Sequence, residues 1–373
     1  MKDLEGLLVV SLEQAVAAPY ASAKLADAGA RVIKIERAEG DFARNYDNLA
    51  NGESSYFVWL NRGKESLVLD LKEKSDFDIL LNIVAKADVF IQNLAPGVVT
   101  RLGLGAEKLT QCLPKLVYCS ISGYGEEGPY REQKAYDMLV QGESGLISIN
   151  GTPDDVARVG LSICDIAAGL TAYSAILQSL LARQESGKGR AIEISLFHAI
   201  ADWMNVPYLQ TRYGQKPPPR VGVRHPTIAP YGAFICSDGK SVLLSIQNER
   251  EWLRFCADVL TSPGLATDFR FNSNIDRVKN CAELEAIIAP ILAKLTREKA
   301  IELLTDAGIA CGRLSDMDDL VAHPQRRLTS VATHSGNIEM LAPGAKFPGH
   351  TETYGAVPSL GEHTETLRKE FGK

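Results

Sequence analysis

Short apolar runs alternate with stretches of helical periodicity through the first half of the chain. Runs at 7–12, 31–36, 66–71, 88–93, 115–122 and 191–196 read as strands, and helices are predicted at 18–28, at 75–85 and from 196 to 204. Strand and helix in strict alternation point to a parallel sheet covered by crossover helices. The layout is Rossmann-like, but the first strand-to-helix turn reads SLEQAVAAPY and lacks the G-x-G-x-x-G fingerprint, so a dinucleotide cofactor is not expected. A further small apolar stretch, 159–164, reads as strand-like and ends at Asp165, which is predicted to open a long helix of Ala, Leu and Ile.

The pattern changes near Tyr213. The segment YGQKPPPRVGVRHPTIAPYG is rich in Pro and Gly, and 213–229 is read as a linker. Beyond it, YGAFICS and SVLLSIQ alternate as strands around a DGK turn, and helices are predicted near 250–260, 281–295 and 297–307. The expected organisation is a large α/β domain over 1–212, a smaller α+β domain over 230–327, and a loop-rich segment, 328–373, that returns to the large domain and ends in one helix.

Composition narrows the function classes. The chain has 373 residues, 45% of them apolar, 23% charged, with a net charge of −6. An acidic balance disfavours a nucleic-acid surface, which needs a basic face. No apolar run is read as a membrane span, and the acids near the N-terminus do not fit a signal peptide. Seven cysteines, an odd number without a C-x-x-C pair, suit a reduced, cytoplasmic protein, and the six histidines lack metal-ligand spacing, so no metal is expected. A soluble cytoplasmic enzyme is the expectation.

Asp165 gains from the positive end of its helix, and the residues alone leave two readings open: a helix cap, or a reactive carboxylate in a dry place. Gly123, Gly125, Gly128 and Pro129 form a loop after a strand, where ligands meet α/β sheets. Tyr136 and Asp137 follow and open a helical stretch, either as packing and cap residues or as ligand contacts. Ser144 in GESG misses the spacing of a nucleophile elbow. Arg37, Arg62, Lys64 and Arg101 fall at predicted strand ends or loop–helix junctions, where an anionic, nucleotide-like ligand would be held.

The motifs LADAGARVIKIERAEGD, NRGKESLVLDLK, NLAPGVVTRLGL, SISGYGEEGPY, YDMLVQGESGL, CDIAAGLTAYSAILQSLLARQESGKGRAIEISL, PYGAFICSDGK and LGEHTETL occur in this order. Together they resemble the class III coenzyme A transferases, the superfamily of formyl-CoA transferase, carnitine-CoA transferase and α-methylacyl-CoA racemase. The resemblance runs nearly end to end. It implies a Rossmann-like large domain that binds CoA, a smaller domain, and two subunits interlocked as a homodimer.

The resemblance also implies roles. Asp165 matches the catalytic carboxylate, which forms an anhydride with the acyl group and then an aspartyl-CoA thioester. Arg37, Asn93, Leu94 and Arg101 match positions that meet CoA, and Lys134, Tyr136 and Asp137 match residues lining the CoA and acyl site. Val16 stands where formyl-CoA transferase carries a glutamine near its nucleophile, and that enzyme's glycine-rich lid has no counterpart, so a formyl/oxalate pair is disfavoured. The racemase branch needs a histidine and a glutamate where this chain has Tyr136 and Gln247, neither suited to that proton transfer near neutral pH. Arg220, Arg224 and His225 are candidates for the second carboxylate of a dicarboxylic substrate such as mesaconate, itaconate, succinate or malate. Coenzyme A is expected as a co-substrate, with no tightly bound cofactor and with an acyl-CoA and a small carboxylic acid as partners. The alternatives are a racemase or isomerase and a non-catalytic CoA-binding protein.

Overall fold

A computed structural model of the chain describes residues 2–372. Six strands, β1 (Leu8–Leu12), β2 (Arg31–Glu36), β3 (Lys64–Val68), β4 (Val89–Gln92), β5 (Val117–Ser122) and β6 (Ala191–Ser195), form a parallel sheet in the order β3-β2-β1-β4-β5-β6. The order reverses between β1 and β4, a switch point of the kind at which open α/β sheets place their ligands beyond the carboxyl ends of the strands, here Leu12 and Gln92. Helices α1 (Ala17–Asp27), α2 (Lys74–Val84), α3 (Asp137–Glu143), α4 (Ile163–Ser186) and α5 (Leu196–Trp203) follow in chain order. The central strands β1 and β4 are largely apolar on both faces because both are covered. Val9, Val32 and Ile91 pack with α1 and α4, while Val10, Ile33 and Phe90 pack with α2 and the C-terminal helix Thr364–Phe371.

α1 and α4 approach closely because small residues meet there. Ala17, Ala18 and Ala21 share one core with Ala167, Ala168 and Ala172. A Cβ added at Gly169 would lie 2.5 Å from the Ala17 carbonyl oxygen and 2.9 Å from Tyr20 Cβ, so only glycine fits. By length and composition α4, at 24 residues, is apolar enough to cross a membrane, which corrects the expectation that no run reaches that length. Its buried stripe from Cys164 to Leu180 serves the core of the sheet domain.

The strand expected at 159–164 is absent. The chain is irregular up to Ser162, and the helix begins at Ile163, so Asp165 lies inside its first turn rather than opening it. The buried amide of Gln141 is the physical reason: it accepts from the Val159 N–H at 2.9 Å and donates to the carbonyls of Val159 and Leu161, taking the backbone groups a neighbouring strand would need. β3 starts two residues before the predicted run, which places Lys64 within the strand.

The described chain divides into two compact units, one comprising 1–147, 158–208 and 327–373, the other 148–157 and 209–326. In the larger unit, 327–373 supplies an antiparallel hairpin (Leu328–Thr333 with Gly336–Leu341) that the loop-rich sequence did not reveal. It then runs along the open edge of β3, where Gly63 N–H donates to the Ala356 carbonyl and His363 N–H to the Ser66 carbonyl. The smaller unit holds an antiparallel sheet of Tyr231–Ile235, Ser241–Ser245 and Ala310–Arg313 over a core of Trp252, Phe255, Phe271, Leu284 and Ile288. Its first two strands turn at the DGK sequence, as predicted.

Candidate active site

Asp165 is half-buried in the first turn of α4, and another acid does the capping. Asp137, at the start of α3, accepts the N–H of Cys164 at 2.7 Å and that of Asp165 at 3.3 Å with Oδ1. Its Oδ2 accepts from Gln141 Nε2 at 2.7 Å. No donor among the described residues reaches the Asp165 carboxylate, and Ser162, at the N-cap position, makes no side-chain cap bond. Of the two readings the residues left open, the cap belongs to Asp137. Burial, and then the negative charge of Asp137, push the Asp165 carboxyl up to about 7. Such a group is unusually basic for a carboxylate and still largely ionised just above neutrality, which suits a nucleophile.

Two segments bear on the start of α4, where Asp165 sits. The first is the loop from Glu13 to Val16 at the end of β1. Val16 is buried at the N-cap of α1, and the next residue, Ala17, rests on Gly169, one helical turn beyond Asp165 on the same face. The second is the single turn Phe42–Asn45 with Tyr46. Partial burial and the charges of Asp41 and Asp165 push the Tyr46 phenol up to about 12, and its ring packs edge-on against Tyr56 at 5.4 Å.

The other predicted residues scatter more widely. Tyr136 immediately precedes Asp137 and is exposed. Asn93 uses its amide on the backbone of Gln14, accepting from the N–H at 3.0 Å and donating to the carbonyl at 2.9 Å. Leu94 lines a cavity of about 150 Å³ over the ends of β4, β5 and β6, with Gln92, Ser120 and Glu126 linked through hydrogen bonds. Arg37 is exposed after β2, with Nε 3.3 Å from the Gly40 carbonyl. Arg101, at the end of a short helix, and Lys134, before α3, are also exposed.

In the smaller unit, the Arg220 guanidinium donates to the carbonyls of Ser148, Thr152 and Pro153. Arg224 pairs with Glu285 at 3.5 Å, and the His225 ring stacks on Tyr231. Gln247, exposed, donates to the Ser245 hydroxyl.

Two anchors suggested by the sequence are corrected. Arg62 and Lys64 are buried and hold Asp27 and Glu13 inside the fold, because a cation without water needs a counter-charge. Sequence reading also missed the buried set Glu13, Lys34 and Asp41. Its available signal was the polar Lys34 in the otherwise buried strand RVIKIE.

The description of CoA-transferase family III matches residues 4–364. The chain belongs to CoA-transferase family III. The transferase is 36% identical over 372 residues to an acetyl-CoA:oxalate CoA-transferase of Acetobacter aceti, covering 98% of this chain and 95% of that one. It is 34% identical to the succinyl-CoA:glutarate CoA-transferase of Mus musculus, over 99% and 86% of the two chains. A succinyl-CoA:mesaconate CoA-transferase of Haloarcula hispanica is 30% identical, over 100% and 97%. Among solved structures, a CAIB/BAIF family protein from Brucella suis matches with a TM-score of 0.85 and 32% identity over 99% of both chains. A hypothetical protein of Mycobacterium tuberculosis matches with a TM-score of 0.86 and 26% identity, over 98% and 99%. The transferase is thus an acyl-CoA:carboxylate CoA-transferase, and its α/β fold with the six-stranded parallel sheet is that of its structural neighbours.

Proposed function

We propose that the transferase moves CoA from an acyl-CoA to a small dicarboxylate through covalent intermediates on Asp165. An Asp165 oxygen attacks the thioester carbonyl, the C–S bond breaks, and CoA leaves as thiolate from a mixed anhydride. The thiolate then attacks the aspartyl carbonyl, releasing the donor acid as carboxylate and forming an aspartyl-CoA thioester. The acceptor carboxylate attacks that thioester, and the returning thiolate attacks the acceptor's carbonyl, restoring Asp165. No net proton is consumed. The observation that carries this reading is the free, basic carboxylate of Asp165 beside a capped helix end.

Dicarboxylate substrates are supported by the oxalate, glutarate and mesaconate in the names of the relatives. We further propose a cytoplasmic homodimer whose subunits interlock. Exposed Leu170, Leu181, Trp203 and Val206 on and after α4 support a partner there, and all seven cysteines are free thiols, which suits a reducing compartment. Mass spectrometry of the intact protein with succinyl-CoA, after hydroxylamine or borohydride, tests the chemistry. An adduct or its trapped product on the Asp165 peptide supports it, and labelling elsewhere overturns it. A panel of acceptor acids showing no preference for dicarboxylates overturns the substrate class.

A further inference from the structure

Asp41 is 4% exposed and makes contacts in three directions. Oδ1 accepts the N–H of Ala15 at 3.1 Å and the N–H of Ala43 at 2.9 Å, while Oδ2 pairs with Lys34 Nζ at 2.8 Å. The first bond holds the Glu13–Val16 loop, and the second caps the Phe42–Asn45 turn that leads to Tyr46. The first leads into Ala17, which rests on Gly169 one turn beyond Asp165, and the second carries Tyr46, whose phenol feels the Asp165 charge. Lys34 also faces Glu13 at 3.4 Å, and Glu13 takes Lys64 at 2.6 Å and the hydroxyls of Ser11 and Ser22. Two cations and two anions thus balance in a space closed to water, a set that is costly to break and restricts the backbone around it to one arrangement.

The loop needs that restraint. Ala15 is held at φ +63°, a conformation a non-glycine residue adopts at a cost of about 1 kcal/mol. Asn93 clamps both backbone groups of Gln14 from the β4 side. Held between Asp41 and Asn93, the loop keeps a fixed position while α1 starts against Gly169.

We propose that Asp41 is a positioning residue that locks these two segments into a rigid wall beside Asp165 and so protects the acyl intermediate from water. The proposal rests on the covalent chemistry proposed above. Water attacking the anhydride carbonyl would return Asp165, the free acid and a proton. With thiolate present, the sum is acyl-CoA plus water giving acid plus CoA. A loosened wall therefore diverts turnover from transfer to hydrolysis, a partition that a merely structural role would not move.

The test uses the full-length protein with succinyl-CoA, following CoA thiol release without acceptor and acyl transfer with a dicarboxylate acceptor. Asp41→Ala is expected to raise the ratio of hydrolysis to transfer about tenfold, with KM for succinyl-CoA changed less than about twofold. Asp41→Asn keeps an oxygen for both N–H groups while losing the Lys34 pairing, and is expected to lie between Asp41→Ala and wild type in this ratio. Should Asp41→Ala fail to fold, Asn93→Ala frees the same loop from its half-buried side and is expected to raise the ratio likewise. A folded Asp41→Ala or Asn93→Ala protein with the wild-type partition, while wild type still forms its Asp165 adduct, overturns the wall alone. Failure of wild type to form that adduct overturns the underlying chemistry and the wall together.

Discussion

Asp137 receives the backbone N–H of Asp165 at 3.3 Å, while no donor among the described residues reaches the Asp165 carboxylate. One acid satisfies the helix end, and the other is spared that role. A carboxylate that caps a helix is stabilised as an anion and becomes a weaker nucleophile. Beside an acid that already does so, Asp165 meets burial and a like charge instead, and its basicity rises.

Replacing Asp165 with Asn separates catalysis from stability. Transfer is expected to fall at least about a thousandfold, because an amide cannot form the anhydride. Stability should move the other way. The folded pKa of Asp165 lies near 7, above the ordinary 3.8, so its stabilising contribution is complete below pH 4 and is lost as pH rises through 7. At pH 8 the wild-type protein carries a buried charge that the variant lacks. Asp165→Asn is expected to gain about 1–3 kcal/mol there, after screening by solvent, and little at pH 4. Denaturant unfolding at the two pH values measures it.

The same charge relation predicts a pH profile. Transfer activity should rise with pH through about 7 as Asp165 ionises. Asp137→Asn keeps an oxygen acceptor for the helix N–H groups but removes the like charge, so the acid limb should move down by roughly one pH unit. A profile that does not move means the Asp137 charge has no hold on Asp165.

Gly169 sets the distance between α1 and the helix that carries Asp165. With a Cβ 2.5 Å from the Ala17 carbonyl oxygen, Gly169→Ala must push the α1 entrance away. The expected cost is about 2–3 kcal/mol in denaturant unfolding, with loss of transfer activity beyond what the remaining folded fraction explains.

Glu13 ties the buried charges to acid stability. Burial alone would raise its carboxyl, but Lys64 and Lys34 outweigh it and hold the group down to about 2, against an ordinary 4.5. Its contribution is therefore present above pH 4.5 and is lost as pH falls through 2. Glu13→Gln leaves Lys64 under-compensated and is expected to cost about 3–5 kcal/mol at pH 7. The deficit should shrink toward pH 2, as read by denaturant unfolding across that range.

The alternation of apolar runs and helices, the missing glycine fingerprint and the DGK turn of the smaller sheet were all legible along the chain, because strand and helix periods and turn chemistry are local. The family motifs marked the chain as a CoA-transferase and singled out Asp165. Local pattern misled at 159–164, where an apolar run looked like a strand until Gln141, distant in sequence, took its backbone groups. It misled again at Arg62 and Lys64, whose charges suggested a ligand and turned out to face Asp27 and Glu13 inside the fold. The sequence by itself determined the class of sheet, the family and the candidate nucleophile. Only the tertiary structure decided which acid caps the helix, that no donor among the described residues reaches the Asp165 carboxylate, and that Asp41 accepts N–H groups from both Ala15 and Ala43. Capping, desolvation and charge pairing depend on which groups meet in space, and residues 137 and 165, or 15, 34 and 41, meet only once the sheet has brought its strand ends together.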